Sequence, residues 1–166
     1  MIAVGIDPDL HNTGIAVVES PARGGKFTIL EAHIAKVDRE YTSLHAVLDS
    51  IKGIHKWSCH TTHKPDIVVI EGQEIYAGKT KNPESILRLA QVAGAAVGIS
   101  QTIEHRYLPR PKEWKGSVPK NIHQERIRAQ IANLDPVTCW RPKSAHSHLW
   151  DAVGLAIWGI NRIMAV

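Results

Sequence analysis

Ile2-Ala3-Val4-Gly5-Ile6-Asp7-Pro8-Asp9-Leu10-His11-Asn12-Thr13-Gly14-Ile15-Ala16-Val17-Val18 is the stretch on which the fold turns. The apolar run Ile2 to Ile6, bounded by Asp7-Pro8, has the length and composition of a buried strand. Thr13 to Val18 has the same character. Turn-forming residues from Pro8 to Asn12 join the two, which predicts a hairpin. Beyond it, Pro21, Gly24 and Gly25 form a turn into a third strand, Lys26 to Ile34. Tyr41 to Trp57 places Leu44, Val47, Leu48, Ile51 and Ile54 at helical spacing. Ile67 to Ile70 is the clearest buried strand and ends on Glu71. Asn82-Pro83-Glu84 opens a helix with an N-cap, a proline at the first position and an acid in the first turn. That helix runs to about Ser100 and carries Ala90, Ala93, Gly94 and Ala95. A fifth strand, Ile103 to Leu108, stops at Pro109. A basic, proline-containing connection (Arg110 to Lys120) leads to a helix near Ile122 to Ala132, and His148 to Met164 forms a last helix with an apolar face. Strands followed by alternating helix and strand predict an α/β domain with a mixed sheet.

At 166 residues the chain suits a single domain, 1–166. No apolar run approaches the ~20 residues of a spanning helix, and Met1 to Ile6 lacks a basic leader or cleavage site. Cys59 and Cys139 are too few for a disulfide scaffold and suit a reducing compartment. A cytoplasmic, non-membrane protein is the expectation. The formal charge of +4 leans toward a polyanionic partner without identifying one.

Three acids stand where an α/β sheet places its chemistry. Asp7 follows the first strand, Glu71 follows the central one, and Asp151 lies in the first turn of the last helix; ligand sites gather at the carboxyl ends of such strands. His148 and Asp151, three apart, share a helix face. Side by side, the carboxylates would repel unless protons or cations intervened. Three carboxylates and an imidazole suit hard divalent cations. Singly, an acid after a strand also serves as a turn-former or cap, and His148 with Asp151 also suits a cap.

Together the motifs resemble the RuvC family of Holliday-junction resolvases. Gly5-Ile6-Asp7-Pro8-Asp9-Leu10-His11-Asn12-Thr13-Gly14-Ile15-Ala16-Val17-Val18 is similar to its opening motif, and Ile67 to Glu71 to its second acidic strand. Asn82 to Gly94 resembles the helix that follows, and His148-Leu149-Trp150-Asp151-Ala152-Val153-Gly154-Leu155-Ala156 the closing motif. The resemblance covers nearly the whole chain in order. It implies an RNase H-like fold, with a five-stranded mixed sheet flanked by helices on both faces. It also implies hydrolysis of branched DNA by two Mg²⁺ or Mn²⁺ ions, with Asp7, Glu71, His148 and Asp151 as catalytic and metal-holding residues. Asp9 stands where the family usually has Gly, and Glu74 competes with Glu71, which is preferred because it ends the strand.

Phosphates call for cations and splayed bases for flat side chains. Tyr76, Lys79 and Lys81 after Glu71, and Arg110, Lys112, Trp114, Lys115 and Lys120 further on, are the expected DNA contacts; exposed lysines also serve solubility alone. Paired cuts in a four-way junction suit a two-fold homodimer, with the Ala/Gly-rich face of the helix from Asn82 as its interface or, equally, as packing against the sheet. A helicase partner is not legible. His55, Cys59, His60 and His63 lack the paired spacing of a zinc site, and Cys139 and Trp140 read as packing residues. Alternatives are a nuclease acting on other branched or flapped DNA or on RNA, a phosphotransferase of the actin-like ATPase group, for which the chain is too short, and a non-catalytic junction binder.

Overall fold

The computed structural model describes residues 1–21, 25–36, 43–73, 83–139, 143 and 146–165, apart from the side chains of 43 and 44. The elements run β1 (Ile2–Asp7), β2 (Asn12–Glu19), β3 (Thr28–Lys36), α1 (Ser43–His60), β4 (Ile67–Ile70), α2 (Pro83–Ile99), β5 (His105–Tyr107), α3 (Pro111–Lys115), α4 (Lys120–Ala129), α5 (Asp135–Thr138) and α6 (His146–Met164). The strands form one sheet in the order β3-β2-β1-β4-β5. β1 and β2 make the expected antiparallel hairpin, β3 extends it, and β4 lies parallel to β1 with Ile6 opposite Ile70. β5 adds a second parallel edge.

Side chains of a strand alternate between faces, and that alternation builds two cores. Val4, Ile6, Ile15, Val17, Val68 and Ile70 face one way, toward apolar residues of α1 and α2. Ala3, Ala16, Val18, Ile67 and Val69 face the other, toward α6. By the same parity Asp7 and Glu71, each two residues beyond Gly5 and Val69, fall on the α6 side. The hairpin turn is fixed by Asp9, whose Oδ1 accepts from the backbone N–H of His11 and of Asn12 at 2.8 Å each.

α6 lies unusually close to the sheet, and two glycines permit it. A Cβ on Gly5 would overlap the carbonyl oxygen of Ala152, and one on Gly14 the carbonyl of His148. Side-chain-free positions on β1 and β2 thus let the first turns of α6 rest on the strand ends.

Several boundaries differ from the sequence reading. α6 begins at His146, so Asp151 stands in its second turn rather than its first. β5 is half as long as expected because Ile103 N donates to Ser100 O in the turn that leaves α2, and Leu108 lies beyond the strand, exposed. The third strand starts at Thr28; Phe27 makes an isolated bridge to Ile131, and that contact ends α4 before Ala132. α3 arises inside the segment read as a connection and α5 in one given no element, both being too short for a period to show, although Pro111 and Pro136 mark their first turns. The expected cap Asn82 and helix start Tyr41 lie outside the described residues.

Candidate active site

Asp7, Glu71 and Asp151 are all buried, at 6%, 9% and 2% exposure. Buried carboxylates need partners, and each of these has one. His148 Nδ1 lies 2.9 Å from Asp7 Oδ2. Lys115 Nζ and the Trp114 indole N–H both donate to Glu71 Oε1, at 2.9 and 3.0 Å. Lys120 Nζ stands 2.9 Å from Asp151 Oδ2, and Gln124 Nε2 donates to Asp151 Oδ1 at 3.3 Å. The backbone locks the two strand ends together, since Glu71 N donates to Ile6 O at 2.9 Å.

The electrostatics are those of one crowded anionic site. Burial raises the Asp7 carboxyl to about 7; the His148 hydrogen bond opposes this, and the charges of Glu71 and Asp151 add to it. The hydrogen bond that His148 donates to Asp7 holds the imidazole above its ordinary range against the pull of burial. Burial acts to lower Lys115, but Glu71, Asp151 and Asp7 outweigh it and raise the ammonium above its usual range. Asp7 thus feels both other acids, and Lys115 feels all three.

The donor set, carboxylate oxygens with one imidazole, has the chemistry of a hard divalent-cation site. In the present arrangement no three His, Cys, Asp or Glu side chains among the described residues converge tightly enough to hold one ion. The chain's own cations, Lys115, Lys120 and His148, hold the carboxylates one by one.

The family profile described as "Crossover junction endodeoxyribonuclease RuvC" matches residues 3–135. The chain belongs to the RuvC family. Among curated RuvC proteins, that of Prosthecochloris aestuarii is 30% identical over 166 residues, covering 95% of this chain and 80% of its own. That of Sulfurovum sp. is 27% identical, covering 98% and 97%. In fold, the chain is similar to Thermus thermophilus RuvC in complex with a Holliday junction substrate, with a TM-score of 0.70 at 19% identity over 98% of this chain and 96% of that one. The yeast mitochondrial Holliday junction resolvase Ydc2 follows at a TM-score of 0.59 and 15% identity, covering 98% and 80%. The five-stranded mixed sheet with helices on both faces is the RNase H-like architecture expected of a RuvC relative.

In this RuvC-family chain the four acidic-site residues expected from sequence stand together at one end of the sheet. The expected DNA contacts fare differently. Trp114, read as a base-stacking residue, is 7% exposed, so its ring offers no open face to a base. Lys115 and Lys120, read as phosphate contacts, bind Glu71 and Asp151. Arg110 pairs with Glu113 at 3.2 Å, and Lys112 is exposed on α3. Tyr76, Lys79, Lys81 and Glu74 lie outside the described residues, as does Trp140. Asp9, weighed as an extra acid, has Oδ1 committed to the hairpin turn. Cys139 is exposed rather than packed. Cys59 touches His55 at 3.8 Å while His63 turns to Glu31 at 3.4 Å, so these residues do not gather into a zinc site. Sequence reasoning missed Gln124, whose role rests entirely on α4 docking against α6. No helix among the described residues is long and apolar enough to cross a membrane.

Proposed function

We propose that this chain is a structure-selective endodeoxyribonuclease that resolves four-way DNA junctions by metal-dependent hydrolysis, leaving 5′-phosphate and 3′-hydroxyl ends. The observation that carries this reading is the burial of Asp7, Glu71 and Asp151 at one end of the sheet, where burial first, and the charges of Glu71 and Asp151 after it, raise Asp7 to about 7. Three carboxylates gathered in one buried place, each now held by a group of the chain, form a donor set that divalent cations can take over. Membership of the crossover junction endodeoxyribonuclease family supports the same reaction class.

Asp7, Glu71, His148 and Asp151 would hold two Mg²⁺ or Mn²⁺ ions. Such ions activate a water as nucleophile and stabilise the leaving 3′-oxygen. Around them the chain's residues have separate tasks. His148 holds the Asp7 carboxylate in orientation, and Gln124 does the same for Asp151 without contributing charge. Lys115 and Lys120, which pair with Glu71 and Asp151, would be free to meet the scissile strand's phosphates where metal holds those acids. The imidazole favours Mn²⁺ at least as much as Mg²⁺.

The substrate is branched DNA and the assembly a homodimer, acting in the cytoplasm, where the two exposed free cysteines remain reduced. On α2, Val92, Ala93 and Ala96 pack inward, whereas Leu87, Ala90, Gly94 and Gly98 share an exposed face, and Gly94 and Gly98 open onto free space. That face lets a second copy approach closely. Gly94→Arg should yield monomers in sedimentation velocity; an unaltered dimer would place the interface elsewhere.

The deciding assay uses mobile and immobile four-way junctions, a Y-branch, duplex DNA and an RNA–DNA hybrid, each with Mg²⁺, Mn²⁺ or EDTA. Paired symmetric nicks in the four-way junctions alone, abolished by EDTA, are expected. Preferential cutting of flaps or hybrid would assign the chain another substrate, and cutting in excess EDTA would remove the metal reading. Asp7→Asn should bind junctions and leave them whole.

A further inference from the structure

Glu71 receives two hydrogen bonds on the same oxygen, and their donors differ in kind. Lys115 Nζ is a flexible, charged donor at 2.9 Å; the Trp114 indole N–H is a rigid, neutral one at 3.0 Å. Both bonds fall on Oε1, and no described residue donates to Oε2. A divalent ion at the site repels the ammonium of Lys115. It does not repel an indole N–H, which carries no net charge and is a donor only. In a loaded site Trp114 would be the partner that stays.

The indole is also held more firmly than a surface tryptophan. It is 7% exposed. Its six-membered ring fits against Gly154, three residues past Asp151 on α6: a Cβ there would come within 2.7 Å of Trp114 Cζ3. The His123 ring of α4 meets it edge to face, 4.9 Å between centroids at 73°. Burial keeps the His123 imidazole below its ordinary range, favouring the neutral ring in that contact. The short helix carrying Trp114 is anchored by Arg110 N donating to Glu113 Oε2 at 2.7 Å. Three elements, α3, α4 and α6, thus fix a single N–H.

We infer that Trp114 is a positioning residue that orients the Glu71 carboxylate toward a metal ion, seated for that task by the gap at Gly154 and the ring of His123. This rests on the metal-dependent reading of the site. It also explains a buried aromatic in the middle of a basic segment, where a base-stacking role would require exposure.

The test is calorimetric titration with Mn²⁺ alone, without DNA, so the readout is binding rather than cleavage. The proteins are wild type, Trp114→Phe, Glu71→Gln and the double variant. As a variant of nearly unchanged shape, β-(3-benzothienyl)alanine at position 114 replaces the N–H with sulfur and keeps the core filled. Partners that orient metal ligands typically contribute roughly 10–100-fold to affinity. Loss of that order is expected for Trp114→Phe and for the benzothienyl variant. In the Glu71→Gln background the same change should add less than about two-fold, because the indole acts through Glu71. Wild-type affinity in the benzothienyl variant would overturn the assignment and leave the metal reading intact. Equal losses in both backgrounds would show Trp114 to be only a packing residue. Absence of Mn²⁺ binding by the wild type would instead sink the metal reading, and this inference with it.

Discussion

Replacing Asp7 with Asn should make the metal-free protein more stable, and increasingly so as pH rises. The Asp7 carboxyl stands at about 7 against an ordinary value of 3.8. A carboxyl raised in this way holds its proton more tightly folded than unfolded, so stability falls as pH climbs between those values. Each unit is about 1.4 kcal/mol. The penalty therefore grows from ~1 kcal/mol at pH 4.5 to ~4 kcal/mol at pH 8. Asn is close in shape, keeps a hydrogen-bonding group for His148 and never ionises.

Relative to wild type, Asp7→Asn should thus gain about 3 kcal/mol between pH 4.5 and pH 8, or roughly 6–12 °C in Tm for a domain of this size. The assay is thermal denaturation of both proteins in EDTA at the two pH values. Addition of Mn²⁺ should then close most of the gap at pH 8. At a hundred times Kd, binding stabilises the wild type by ~2.7 kcal/mol, and the variant should gain far less. A pH-independent difference in EDTA, or a variant less stable than wild type at pH 8, would refute the picture of Asp7 as a buried acid strained by its neighbours.

Two further outcomes follow from the same geometry. In EDTA at neutral pH, Lys115→Met should destabilise the protein by more than Lys120→Met, as read by urea denaturation. The first breaks a mostly buried pair, with side-chain exposures of 24% and 11%, a class of loss that runs to about 3–5 kcal/mol. The second removes an ammonium that is 54% exposed and screened by water, and its partner Asp151, 4% exposed, keeps the hydrogen bond from Gln124. Gly5→Ala should lower stability by more than ~3 kcal/mol or prevent folding, because its methyl group would meet backbone rather than a side chain that can turn aside; circular dichroism melting checks this.

How much of this was legible in the sequence depends on how far apart the interacting residues lie. The hairpin from Ile2 to Val18 is local, and its turn residues announce it. Ile67 to Ile70 shows itself by continuous apolar β-branched residues. Once those two strands are parallel neighbours, their ends and the parity of their side chains put Asp7 and Glu71 together. His148 and Asp151 are related by one helical turn. By contrast, Trp114 and Lys115 reach Glu71 across 43 and 44 residues of chain. Nothing in the run Arg110 to Lys120 distinguishes a cation that will meet DNA from one that will meet a carboxylate. The same limit explains Trp114: an aromatic among lysines looks like a stacking residue until α4 and α6 close over it. The gap at Gly154 that admits it belongs to a helix 40 residues later, and no local pattern encodes that fit.

The site's partners fall into two chemical kinds, and the division has a consequence. Lys115, Lys120 and protonated His148 neutralise the acids, while Trp114 and Gln124 hydrogen-bond to them without changing the charge. On the proposed reading, divalent ions compete with the first kind and leave the second in place. The carboxylates therefore keep part of their orientation while their counter-charge is exchanged. The displaced ammonium groups would remain tethered to α3 and to the start of α4, and the site would change from nearly balanced to positive. A phosphodiester would then meet that field only after metal has entered. Recruitment of the scissile strand and readiness for hydrolysis would be linked through charge alone, without movement of the sheet.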